Sequence, residues 1–345
     1  MSLSFPSPMA IALGCMVAAF LVSFACVRAA IAYAHRRGML DAPGQRRSHT
    51  IPTPRGGGIG IVIGVLVSMP AALWLLPPSP GVAIVGAFTV GVIAIAAIGW
   101  LDDHGSLPIK PRLAIQLGAT LLFCLAVSAH TASLWWAAPL VLAGVWCINL
   151  HNFMDGIDGI AALQVVVFGA ATGIIAVDAG AFGIGIAAGC LDLAALGFWF
   201  FNRSPARIFM GDVGSATVGF IVFALTAMLW AWRTDLLWPE LILSSAFVID
   251  ATLTLLVRML RGARWYTPHR EHLYQWLVRR GNTHSRVAGG YLVWNLAISV
   301  PGAWIALRHP AVAPACCGVA YLLGAAVWRT GKRSCLRRRE RHVVA

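Results

Sequence analysis

Eleven apolar stretches divide this chain, and each is at or near the length that a membrane crossing requires. They cover residues 9–34, 57–76, 82–101, 113–130, 133–149, 160–177, 180–201, 213–232, 236–258, 289–307 and 311–328. A bilayer's hydrocarbon is ~30 Å thick and takes about 20 helical residues to span. In lipid, every backbone N–H and C=O must find its partner inside the protein, which favours helices whose hydrogen bonds are all local. The expected fold is therefore all-α, a polytopic membrane protein with about 11 transmembrane helices. Charged residues make up only 11% of the chain, against ~25% in ordinary soluble domains. No basic segment precedes the first stretch and no small-residue cleavage site follows it, so it reads as a span rather than a signal peptide. With no long polar insertion and no internal repeat, residues 1–345 read as one integral-membrane domain with a basic tail over 329–345.

The basic residues give the orientation. Of 26 lysines and arginines, 23 fall in alternate connections or in the tail, leaving Arg28, Arg233 and Arg308. The positive-inside rule puts those 23 in the cytoplasm, the C-terminus with them, and the N-terminus in the periplasm. An odd number of spans demands the same split. The opposite connections, such as PPSPG and RHPAV, are too short for a catalytic domain. The net charge of +13 follows from this topology and from attraction to anionic membrane lipids. No module for nucleic acid accompanies it. The eight cysteines lie mostly within spans and show no CxxC or His/Cys spacing, so they read as small apolar residues.

Six of the thirteen acidic residues, Asp102, Asp103, Asp155, Asp158, Asp212 and Asp250, lie inside or at the edge of apolar segments. A carboxylate at membrane depth costs several kcal/mol by order of magnitude, and so marks a functional site by default. Five cytoplasmic connections carry the polar motifs. The first, residues 40–60, holds Arg46, Arg47, His49 and Arg55 before Gly56-Gly57-Gly58, where backbone can approach a phosphate closely. A basic juxtamembrane loop is the competing reading, and no P-loop follows the glycines. The second pairs Asp102 with Asp103 near Lys110 and Arg112, a setting for a divalent cation such as Mg2+. The third, residues 149–159, packs Asn149, Asn152, Asp155 and Asp158 around two glycines, with the two aspartates on one face if the segment is helical. In the fourth, Asp212 and Ser215 stand at a helix start that favours phosphate, or Asp212 is simply a cap. The fifth, from Arg258 to Arg286, holds His269, Arg270 and His272, suited to pyrophosphate or proton transfer. An amphipathic surface helix is its plainer alternative.

Taken together, RRSH…PTPRGGG, the Asp-Asp pair, NxxNFMDGIDG, RIFMGDVGS, Asp250 with Thr252, and HRxHLYQ resemble the polyprenyl-phosphate N-acetylhexosamine-1-phosphate transferases. The resemblance covers nearly the whole chain. It implies transfer of a sugar 1-phosphate from a UDP-N-acetyl sugar to undecaprenyl phosphate, releasing UMP. It further implies that Asp212, with Asp103, holds Mg2+ (Mn2+ as the alternative) and that Asp102 deprotonates or orients the lipid phosphate. Asn152, Asp155 and Asp158 would bind the nucleoside, Phe209 would stack on uracil, and His272 with Arg270 would contact the diphosphate. Relatives using UDP-GlcNAc often read HLHH where this chain has His272-Leu273-Tyr274-Gln275. The present form resembles the branch that begins O-antigen synthesis at the bacterial inner membrane, with GlcNAc, FucNAc or QuiNAc as the sugar and a homodimer left open. Two alternatives are a phospho-MurNAc-pentapeptide transferase, whose run of three histidines is absent, and a cation-coupled transporter using the buried carboxylates.

Overall fold

The computed structural model describes residues 7–41, 52–131, 134–263 and 269–343. Each apolar stretch is helical. In chain order the helices are α1 (Pro8–Arg37), α2 (Ile59–Leu75), α3 (Val82–Gly105), α4 (Ile109–His130), α5 (Ala137–Met154), α6 (Ile160–Asp178), α7 (Phe182–Asn202) and α8 (Asp212–Trp232). The 236–258 stretch is broken into α9 (Leu237–Leu243) and α10 (Ser245–Leu260), and the chain bends by 73° between them. α11 (Leu273–Arg279) is short. α12 (His284–Trp294) continues through a π-helical turn at Asn295–Ser299 into α13 (Val300–Arg308), and α14 (Ala313–Val343) ends the fold. β1 (Leu40–Asp41) pairs antiparallel with β2 (Thr53–Pro54) in the first connection.

Two of the eleven expected spans depart from a simple straight crossing. Nine of the described helical segments are long and apolar enough to cross on their own, and ten if the bent α9–α10 pair is one span. α2, with 17 residues, rises about 26 Å at 1.5 Å each, the short end of the range for a crossing. It packs between α1 and α7.

α8 is the central post. Of its apolar window 89% is buried, against 22% for α1, and it packs between α3 and α5. Without a hydrophobic drive between helices in lipid, close backbone approach depends on small residues. Gly58, just before α2, meets Gly214 of α8 so tightly that a Cβ on either would collide with the other's Cα. Around this contact Gly57 N–H donates to Phe209 O at 2.9 Å, Gly58 N–H to Met210 O at 2.8 Å, and Phe209 N–H to Pro54 O at 2.8 Å. The first connection is thus stitched to the fourth by backbone alone.

Gly58→Ala should lower the melting midpoint of detergent-solubilised protein by several degrees, since overpacking costs about 1–3 kcal/mol. Gly14→Ala, on an exposed face of α1 with nothing within 4 Å of the added Cβ, should leave it unchanged. Equal midpoints for the two variants would contradict the tight α2–α8 contact.

Candidate active site

All five polar connections meet at one end of the bundle, around a cleft of about 680 Å³. Its wall takes Arg55 from the first, Asp103 from the second, Asn152, Asp155 and Asp158 from the third, Phe209, Asp212 and Ser215 from the fourth, and His269 and Arg270 from the fifth. Arg47 and His49 lie outside the described residues.

Asp103, at the end of α3 and 4% exposed, accepts the backbone N–H groups of Asp212 (3.0 Å) and Val213 (3.1 Å). It therefore caps α8 from another helix. Gly211 permits this: its φ is +73°, and a Cβ there would come within 2.5 Å of the Asp103 carboxylate. The next two N–H groups, of Gly214 and Ser215, go to Gly211 O, which also accepts the Ser215 hydroxyl. The helix start expected to receive phosphate has spent its donors internally. Asp212 is the first residue of α8, with Gly211 as the cap.

Asp212 is gripped from two sides. Asn152 Nδ2 donates to its Oδ1 at 2.9 Å and to Ser215 Oγ at 3.1 Å. Arg112 reaches Oδ2 at 2.8 Å while its other nitrogen holds Asp102 at 2.6 Å. Asp102 also accepts Leu107 N–H and does not line the cleft. Both of its oxygens are engaged, and it braces Arg112 against Asp212. Asn149, expected at the site, instead donates to Gln116 Oε1 and Val145 O at 2.9 and 2.8 Å, joining α5 to α4.

The third connection is not the helical turn that the spacing suggested. α5 stops at Met154, Asp155 caps it, and α6 begins after Gly159. Asp155 faces the cleft, half-buried. Burial, and then the neighbouring charges of Asp212, Asp103 and Asp158, push its carboxyl up to about 8. Burial alone would raise Asp158 as well, but His284 and the donors at Ser204 and Ala206 outweigh it and leave that carboxyl below its usual range.

The histidine segment divides. His269 and Arg270 line the cleft. Burial, then the charges of His272, Arg258 and Lys332, hold the His269 imidazole down to about 4, so it is neutral at neutral pH. His272 is only 2% exposed and is absent from the cleft wall, its ring stacked between Phe153 and Tyr274. Asp250 positions this segment. Its carboxylate accepts Leu273 N–H (2.8 Å), Tyr274 N–H (3.3 Å), Tyr291 Oη–H (2.7 Å) and Trp328 Nε1–H (3.0 Å). Tyr274 in turn donates to Phe153 O at 2.9 Å, in space that only Gly156 leaves open. The intramembrane aspartate is thus a fastener for the fifth connection.

Residues 85–230, which hold three of the five connections, match the Glycosyl transferase family 4 model. That segment of the chain is similar to this family. It is similar to a Bacillus subtilis protein named probable undecaprenyl-phosphate N-acetylglucosaminyl 1-phosphate transferase, 29% identical over 262 residues and 72% of each chain. It is also similar to phospho-N-acetylmuramoyl-pentapeptide-transferases of Streptococcus pyogenes. The serotype M6 protein is 29% identical over 223 residues and the M49 protein 30% over 222, in each case covering 58% of this chain and 65% of the relative. The chain thus spans a little under two thirds of the streptococcal relatives.

The sequence motifs leave out Arg112 as a site residue, although it stands ten positions after Asp102, and leave out His284, which sits in none of them. They also pass over Glu240, fully buried on α9 and bonded to the Thr172 hydroxyl at 2.8 Å.

The raised Asp155 carboxyl fixes a stability trend. A proton held more tightly in the folded state adds stability fully below the ordinary 3.8, and that stability is lost as pH rises through about 8. In metal-free buffer the melting midpoint should therefore fall from pH 5 to pH 8, and Asp155→Asn should flatten that slope. A slope unchanged in the variant would remove Asp155 as its source.

Proposed function

We propose that the chain transfers an N-acetyl-sugar 1-phosphate from a UDP-sugar to undecaprenyl phosphate, yielding the undecaprenyl-diphospho-sugar and UMP. The observation that carries this reading is the union, in one cleft at the end of a membrane bundle, of arginines from two connections with carboxylates from four. A diphosphate needs the first, and a cation bridging it needs the second. The named activities of the relatives favour the same chemistry.

An oxygen of the lipid phosphate attacks the sugar-linked phosphorus. One P–O bond forms, the bond from that phosphorus to the bridging oxygen breaks, and the bridging oxygen leaves on UMP. The attacking phosphate is already anionic, so no residue has to take its proton, in accord with Asp102 being held by Arg112. Catalysis of this kind is mainly positioning and charge stabilisation. Arg55 and Arg270 bind the diphosphate oxygens, and neutral His269 offers a hydrogen bond, its buried Nδ1 having no partner among the described residues. Phe209 supplies a stacking face for uracil.

The donor set suits Mg2+ or Mn2+. Among the described residues no three His, Cys, Asp or Glu side chains gather closely enough to hold a metal alone. Mg2+ typically takes one or two protein carboxylates and completes its shell with substrate phosphate and water. Asp212 and Asp155 would hold it, with Asp103 fixing Asp212 through the α8 backbone. When bound, the cation neutralises charge on the diphosphate.

The cleft is read as cytoplasmic from the basic connections around it, and the membrane as the bacterial inner one. UDP-GlcNAc, UDP-FucNAc and UDP-QuiNAc are the proposed donors, and the product would begin O-antigen or a related envelope glycan.

UMP release by purified protein, with undecaprenyl phosphate and a panel of UDP-N-acetyl sugars, tests the proposal. Turnover should require lipid and stop on adding EDTA. Asp212→Asn should lose roughly a hundredfold or more in kcat, as removal of a transition-state charge contact does, at an unchanged melting midpoint. Solute flux in liposomes without UMP release would favour a transporter instead.

A further inference from the structure

His284 belongs to no polar motif and does not line the main cleft. It opens α12, preceded by Thr283, whose hydroxyl caps the helix by accepting Arg286 N–H at 3.3 Å. Its imidazole meets the third connection across 126 positions of sequence. Nδ1 lies 3.1 Å from Asp158 Oδ1 and 3.4 Å from Asp158 N, and the two side chains are only 11% and 9% exposed. The shorter contact is to the carboxylate, which calls for Nδ1–H as the donor.

The other carboxylate oxygen, Oδ2, accepts Ala206 N–H at 3.2 Å. One aspartate therefore joins α12, the break between α5 and α6, and the turn between α7 and α8. That turn is fixed to the next residue as well. Gly159 N–H donates to Asn202 Oδ1 at 3.0 Å, and Asn202 Nδ2 donates to Ile208 O at 2.9 Å, one residue before Phe209. Asp158 and Phe209 share a frame, and His284 pins it from behind.

That frame is a partition. Behind it lies a second cavity of about 870 Å³, bordered by His284, Ser204 and Arg207, and both Asp158 and Phe209 line the two cavities at once. A wall with space on both faces has fewer packing neighbours to fix it, so its geometry depends on its hydrogen bonds.

We propose that His284 is a positioning residue, holding Asp158 and, through the 202–209 turn, Phe209 in the geometry that receives the nucleoside. This rests on the reading that the cleft takes a UDP-sugar. Asp158 in this role shapes the nucleoside pocket with both oxygens already engaged, and the nucleoside meets the shaped wall.

The test uses full-length protein in detergent, with UMP binding by calorimetry and KM and kcat from UMP release. His284→Ala should weaken UMP binding and raise KM for the UDP-sugar by about tenfold each, the scale of one hydrogen bond to a charged group, with kcat little changed. His284→Asn places an amide nitrogen near the position of Nδ1 and should recover most of the loss. His284→Gln places it one bond further out, nearer Nε2, and should not. Melting midpoints matched between the Asn and Gln variants separate positioning from folding. An Ala variant that binds UMP like wild type overturns the inference alone, as do Asn and Gln variants equally impaired at matched midpoints. Wild-type protein that binds no UMP and releases none from any donor overturns the nucleotide reading, and the inference with it.

Discussion

The cap that Asp103 places on α8 is the interaction on which the rest of the site depends. A helix start in a membrane protein exposes N–H groups that neither lipid nor its own backbone can satisfy. Here a carboxylate from α3 accepts two of them, and its charge complements the helix dipole. The most buried helix of the fold is thereby fixed in height and rotation. Asp212, its first residue, then stands where Arg112 and Asn152 can hold it. The site's charges are arranged in series: Asp102 holds Arg112, Arg112 holds Asp212, and Asp155 is left facing the cleft.

The same logic explains why carboxylates in apolar segments have such different roles. Asp250 is as buried as a charge can be, yet its oxygens accept four donors from α11, α12 and α14, with Thr254 beside them. Its burial is offset by hydrogen bonds to the charged form, and it works as a fastener for the His269–Gln275 segment. Around Asp155 it is burial and the charges of Asp212, Asp103 and Asp158 that set the balance, and they push its carboxyl up. Depth in the membrane draws attention to both; only their surroundings tell them apart.

The helices were legible because apolar length is a one-dimensional property, and all eleven stretches proved helical. Their shapes were less so, since α2 is short and the 236–258 stretch breaks sharply, near Ser244, at a point its composition does not announce. The convergence of five connections on one end was legible from the alternation of basic residues. Roles within the site were not. Asp102 and Asp103 are neighbours with identical side chains, but a step of about 100° around the helix sends one to Arg112 and the other to α8. Asn149 and Asn152 share a motif and a face of α5, but Asn149 sits about 4.5 Å deeper along the axis and meets Gln116, while Asn152 reaches Asp212. His284 carried no signal at all, because its meaning lies in a partner far away in sequence.

The cap also constrains how the molecule can be made. Asp102 finds its arginine ten positions later, in the next helix, so its charge is answered almost as soon as α3 is complete. Asp103 waits for backbone groups 109 and 110 positions downstream. Until α8 has been synthesised and inserted, α3 must keep an unanswered carboxylate at its end, and the membrane tolerates it there only because the interface, with water and headgroups, is within reach. The placement of this acid at the last turn of α3, rather than deeper, keeps it within reach of the interface until α8 arrives.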